Sequence, residues 1–207
     1  ILTDHISDLL FTTEQSGSDN LVKEGIARDS IHLVGNCMID SLKAHLPVAL
    51  SRRPWDVLGL KRRSYALVTL HRPAAVDDPT SLQEFRQALK EIGEVLPLIF
   101  PVHPRTRAQI EAGGVDWEPV RMMEPLGYLD FLGLMAEARL VLTDSGGIQE
   151  ETTALGVPCV TMRDNTERPV TLTIGTNVLA GTTRERIVSA ARNALSLETQ
   201  VGSQPPL

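Results

Sequence analysis

The sequence predicts an α/β fold organised around a largely parallel, doubly wound sheet, and two observations carry that prediction. Short apolar runs alternate with amphipathic helical patterns at regular spacing, the signature of βαβ units and not of a sandwich or bundle. The runs are apolar nearly throughout instead of alternating, as expected of strands covered by helices on both faces.

The strands are expected at 31–34, 65–70, 98–102, 120–123, 140–143, 159–162 and, with the weakest pattern, 177–180. After the second of these, Leu82, Phe85, Leu89, Ile92 and Leu96 recur three or four apart. Ser81 and Glu84 stand at capping-box spacing, so this helix should start near Ser81. Shorter helices are expected over 128–138 and 147–155. A final helix has Thr182 and Glu185 at capping-box spacing and Ile187, Ala191 and Leu195 on one face. Residues 1–40 read as the end of a preceding domain and its crossover, 41–195 as a nearly complete doubly wound domain. Gly, Ser, Gln and two prolines collect in 196–207, which reads as a frayed tail. Ile1 is not an initiator Met and no signal-peptide pattern follows it, so a preceding segment is expected.

Composition excludes several classes. The 207 residues carry 20 Lys+Arg against 26 Asp+Glu, a formal charge of −6, with only four lysines and no basic block. Nucleic acid and anionic membrane are therefore not expected as partners. No run approaches the ~18 apolar residues of a membrane span; the best candidate, 95–102, is broken by Pro97 and Pro101. Cys37 and Cys159 lie far apart with no CxxC spacing, which fits a reducing cytosol. Five scattered histidines and no HExxH give no metal site, and GxGxxG is absent, so no dinucleotide cofactor is expected. There is no GxSxG elbow, so Ser145 is not a hydrolase nucleophile.

The residues able to carry chemistry fall at strand ends, where open α/β sheets bind ligands. In the segment Leu140-Val-Leu-Thr-Asp-Ser-Gly-Gly-Ile-Gln-Glu-Glu151, a strand leads through two glycines into a helix. Gly146 and Gly147 would let backbone N–H groups approach a diphosphate, with the Ser145 hydroxyl as a further donor. The alternative is that Ser145 only caps the helix and the glycines pack it on the sheet. Glu150 and Glu151 either complement the helix dipole or accept ribose hydroxyls. His71 and Arg72 follow strand 65–70, with Pro73 expected to keep the chain out of a helix; Arg72 could pair with phosphate and His71 donate to it or move a proton. His103 and Arg105 repeat that placement after 98–102. In the polar run from Arg163 to Pro169, Arg168 is the best second phosphate ligand, and Asp164 or Glu167 could neutralise the arginines.

The segments LVTLHRPAAVDDP, PVHPRT, PLGYLDFLGLM, LVLTDSGGIQEETTALGVPCVTMRDNTERP and GTNVLAG, in this order, resemble the non-hydrolysing UDP-N-acetylglucosamine 2-epimerases. TDHISDLLFTTEQSGSDNLVKEGI and VGNCMIDSL are similar to that family's passage from its first domain into its second. The resemblance implies the second, UDP-binding half of a two-domain, Rossmann-like glycosyltransferase-B architecture, acting in a cytoplasmic homodimer with its own N-terminal domain and a UDP-sugar as partners. It implies Ser145, Gly146 and Gly147 as the diphosphate cradle, Glu151 as ribose ligand, Phe131 as uracil contact and Arg168 as a further nucleotide ligand. His71 would be the active-site histidine. The family's catalytic carboxylates would precede Ile1, so the chain alone is expected not to epimerise. Two departures stand out: the usual His-Arg-x-Glu-Asn reads His71-Arg72-Pro73-Ala74-Ala75, and Thr-Glu-Arg-Pro-Glu reads Thr166-Glu167-Arg168-Pro169-Val170. With the missing carboxylates they motivate one alternative, a non-catalytic UDP-sugar-binding module; a glycosyltransferase of the same fold is another.

Overall fold

A computed structural model of the chain describes residues 1–197. It resolves into two compact units, Ile1–Ala44 and a second beginning at His45, the division falling within the helix Cys37–Ser51. In the first unit, β1 (Leu10–Thr12) and β2 (Ile31–Leu33) pair in parallel, Leu10 against Ile31 and Thr12 against Leu33, with the helix Gln15–Lys23 between them in sequence. β1 was not foreseen. It is only three residues long, and the exposed Phe11 between buried Leu10 and Thr12 leaves no continuous apolar signal.

The second unit holds six parallel strands: β3 (Ala66–Thr69), β4 (Leu98–Pro101), β5 (Arg121–Met123), β6 (Leu140–Thr143), β7 (Cys159–Thr161) and β8 (Asn177–Leu179). Their spatial order is β5-β4-β3-β6-β7-β8, so the winding reverses between β3 and β6. That reversal opens a crevice at the carboxyl ends of these two strands. Ala66, Leu67 and Val68 of β3 and Leu140, Val141 and Leu142 of β6 are fully buried, which explains why the strands read as apolar runs. The helix Pro79–Gly93 places Phe85, Ala88 and Leu89 out of solvent against this sheet, where each large side chain contributes about 1.5–3 kcal/mol relative to exposure.

The helix starts differ from expectation. Asp78, not Ser81, caps Pro79–Gly93, its carboxylate accepting from the Thr80 and Ser81 N–H groups, and Pro79 fills the first helical position. Glu84 is thereby released from a capping box, and it accepts instead from the Arg184 N–H at the start of the last helix, Arg184–Leu197. Pro73 does not exclude a helix; it opens the short helix Pro73–Val76, with Arg72 extended before it (φ −73°, ψ 137°). Most of the tail expected over 196–207 lies outside the described residues.

Candidate functional site

The turns leaving β3 and β6 meet at the winding reversal. Asp144, fully buried, follows β6 and spans the gap: its Oδ2 accepts from the backbone N–H groups of His71 and Arg72, each at 2.8 Å. Its Oδ1 lies 2.9 Å from Nδ1 of His71. The Asp144 contact holds the His71 imidazole above its ordinary pKa, against partial desolvation and the Arg72 charge. Half the His71 side chain stays open to solvent. Below this pair, the Thr69 and Thr143 hydroxyls bond at 2.6 Å, and Thr143 Oγ1 accepts from the Ser145 N–H.

Ser145 occupies the N-cap position of the helix Gly146–Leu155, yet its hydroxyl makes no bond to the helix's own N–H groups. The capping alternative for this serine is therefore not what the fold does. The first-turn amides remain open to an outside acceptor, and the hydroxyl stands beside them. Gly146 sits in the cluster: a Cβ built on it would be 3.7 Å from Glu167 Oε2 and 3.9 Å from Arg72 Nη2.

The turn after β7 brings in the third group. Arg163 donates to Glu167 through both terminal nitrogens, at 3.0 and 2.7 Å, and Arg72 reaches the same carboxylate at 3.4 Å. The Arg163 contacts come first among the causes that hold Glu167 at a pKa of about 2. Arg168 takes a separate partner, its Nε lying 3.0 Å from Oε2 of Glu150. Glu151 next to it is 8% exposed, and burial, seconded by the Glu150 charge, pushes its carboxyl up to about 7.

This segment is pinned from beneath. The Thr166 hydroxyl donates to Gln149 Oε1 (2.6 Å) and accepts from the Arg168 N–H (3.0 Å), while Asn177 Nδ2 donates to the same Gln149 oxygen. Sequence reasoning missed Gln149, Thr166, Asn177 and Asp144 as parts of the site. For Asp144 a signal existed, a carboxylate directly after a wholly apolar strand; for the others the relation exists only once the strands are ordered.

Other candidates stand apart from the cluster. His103 caps the helix Pro104–Gly113, accepting from the Arg105 N–H at 3.3 Å, and Arg105 pairs with Asp77. Asp164 faces Arg186 at 3.6 Å, so Glu167 alone of the two expected carboxylates neutralises the arginines. Phe131 lies half-buried in the helix Tyr128–Ala136, joined to the cluster by no hydrogen bond or ion pair among the described residues. No group of three or more His, Cys, Asp or Glu able to hold a metal occurs among the described residues.

The profile of the family described as UDP-N-acetylglucosamine 2-epimerase matches residues 1–205. The chain belongs to this family. It is 42% identical over 208 residues to the UDP-2,3-diacetamido-2,3-dideoxy-D-glucuronate 2-epimerase of Pseudomonas aeruginosa, covering 99% of this chain and 57% of that protein. It is 38% identical over 205 residues to the UDP-N-acetylglucosamine 2-epimerase of Methanococcus maripaludis, covering 94% of this chain and 56% of that one. The Methanocaldococcus jannaschii UDP-GlcNAc 2-epimerase, crystallised with UDP-GlcNAc and UDP, matches with a TM-score of 0.88 and 37% identity over 99% of this chain and 58% of that one. The chain thus spans about half the length of the epimerases it matches, and its parallel sheet corresponds to one half of their glycosyltransferase-B-like architecture.

Proposed function

We propose that the chain is the C-terminal, UDP-binding part of an epimerase that interconverts UDP-GlcNAc and UDP-ManNAc. The carrying observation is the convergence at the winding reversal: an uncapped Ser145-Gly146-Gly147 helix start beside a histidine held by a buried carboxylate. Ser145, Gly146 and Gly147 hold the diphosphate, Arg72 and Arg168 supply positive charge, and Glu151 accepts from the ribose hydroxyls. Phe131 meets the uracil. His71, oriented through Nδ1 by Asp144, presents Nε2 to the departing UDP. The unit Ile1–Ala44 belongs to the end of a preceding domain of a cytoplasmic homodimer.

The chemistry accounts for this division of labour. No carbonyl flanks C2 of the sugar, so simple enolisation cannot invert it. In elimination, a base takes the C2 proton, the C–H pair becomes the C1=C2 bond, and the C1–O pair leaves with UDP. Re-addition with protonation from the other face gives the epimer. Such a reaction needs acid and base groups on the sugar side and preorganised donors for the charge gathering on the diphosphate. The chain supplies the second set; the carboxylates of the first belong to the preceding domain, and the chain alone does not epimerise.

Calorimetry of UDP binding to the chain and to its Ser145→Val and Arg168→Ala variants tests this reading. Weak binding by the parent chain and at least a tenfold loss in each variant are expected, about the worth of one charge-assisted hydrogen bond; equal affinity in all three removes the cradle. Assay of the complete protein for the 2-acetamidoglucal or the epimer separates an epimerase from a module that only binds. A second sugar is favoured by one observation, the 42% identity to an enzyme named for a 2,3-diacetamido glucuronate. Turnover of that UDP-sugar in preference to UDP-GlcNAc would establish it.

A further inference from the structure

We propose that Glu167 is a specificity-determining residue of this site, its carboxylate standing where the ligand's anion goes and setting the affinity for ligands charged enough to displace it. The proposal rests on the UDP reading above and refines it. Glu167 is exposed, with 56% of its side chain open to solvent, so packing does not dictate where its carboxylate lies. It nevertheless joins two strand ends, accepting from both terminal nitrogens of Arg163 after β7 and facing Arg72 after β3. Its Oε2 comes within 3.7 Å of the Cβ that Gly146 lacks, on the open first turn of the helix Gly146–Leu155.

Two guanidinium groups therefore converge on one carboxylate that stands beside an open helix start, and a phosphate group placed there would use the same two guanidinium groups. The neighbouring charges do not cancel this arrangement, because Asp164 is turned to Arg186 and Glu150 to Arg168. With Glu167 in place, Arg72, Arg163 and Glu167 sum to one positive charge, and with it displaced they present two. A diphosphate replaces the carboxylate's bonds and adds charge of its own. An uncharged nucleoside replaces none of them and leaves Glu167 where it is.

The test compares UDP and uridine binding, by calorimetry, to the 207-residue chain and to Glu167→Gln. Removing the resident charge should tighten UDP binding roughly tenfold and leave uridine unchanged, as expected for one unit charge near a partly solvated surface. Because the side chain is exposed, the variant should keep its fold, which thermal unfolding checks. Pyrophosphate should follow UDP. Weaker UDP binding by Glu167→Gln would show that the carboxylate organises the arginines for the ligand and would overturn the proposal, as would equal affinity or equal tightening for uridine. Measurable but equal UDP binding sinks this proposal alone, whereas no UDP binding by either protein sinks the UDP reading with it.

Discussion

The strand β6 is flanked by two buried carboxylates, Glu137 before it and Asp144 after it, and the two are handled in opposite ways. At the amino ends, Glu137 is 6% exposed and is held by both nitrogens of the Arg62 fork, at 2.6 and 2.7 Å, with that guanidinium also 5.8 Å above the Trp55 ring. At the carboxyl ends, Asp144 spends one oxygen on two backbone N–H groups and turns the other to His71. The first carboxylate is answered by a permanent charge in planar, paired geometry and has nothing left to offer. The second is answered by an imidazole, whose charge depends on pH and on what binds it. A buried charge closed by arginine holds the fold together; one left to a histidine beside uncommitted donors marks where the fold responds.

Breaking each end should separate these roles. Arg62→Met leaves the buried Glu137 without its counter-charge and should lower stability in urea unfolding by at least as much as Asp144→Ala, which strips two part-buried N–H groups of their acceptor and should cost about 2–4 kcal/mol. Gly146→Ala should do the reverse. The added Cβ meets its nearest neighbours at ordinary contact distances of 3.7 and 3.9 Å, so stability should hold or rise, while UDP affinity falls at least tenfold through the blocked backbone approach. Thermal unfolding and calorimetry on one preparation decide this. Loss of stability without loss of binding would invert the assignment.

The titrating groups sharpen the contrast by smaller effects. Glu151 binds its proton more tightly folded than unfolded, its carboxyl raised from 4.5 to about 7. The folded state therefore holds more protons across that interval, and stability falls as pH rises through it. Glu151→Gln should remove the fall, melting above the parent at pH 8 and level with it at pH 4. His71 acts in the same direction by a different route: its raised pKa gives stability that is fully present below the unfolded value of 6.5 and lost as pH rises through the folded one. An NMR titration should find His71 above 6.5, and Asp144→Asn should lower it. An unchanged His71 titration would mean the carboxylate does not act on the ring.

The central strands of the sheet were legible because burial on both faces demands apolar residues at every position, and β6 needed no correction from its expected bounds. Helix starts were less so. Asp78 and Ser81 both satisfy the capping pattern, and only the geometry fixed by Pro79 decides between them. The Ser145-Gly-Gly turn was legible as a donor cluster, whereas its support was not. Gln149 reaches Thr166 and Asn177 across 17 and 28 residues, a relation that depends on β7 lying beside β6 and β8 beside β7. His71 could be singled out by its place after a strand. The carboxylate holding it comes from the other side of the winding reversal, beyond the reach of local pattern.

The most direct measurement is an amide and imidazole NMR titration of the chain with UDP, read at both ends of β3 and β6. The amides of Ser145, Gly146 and Gly147 and the ring of His71 should shift together with one saturation curve, while Arg62, Arg63 and Glu137 stay still. Shifts that saturate elsewhere and leave the Ser145-Gly146-Gly147 turn unmoved would contradict the account at its centre.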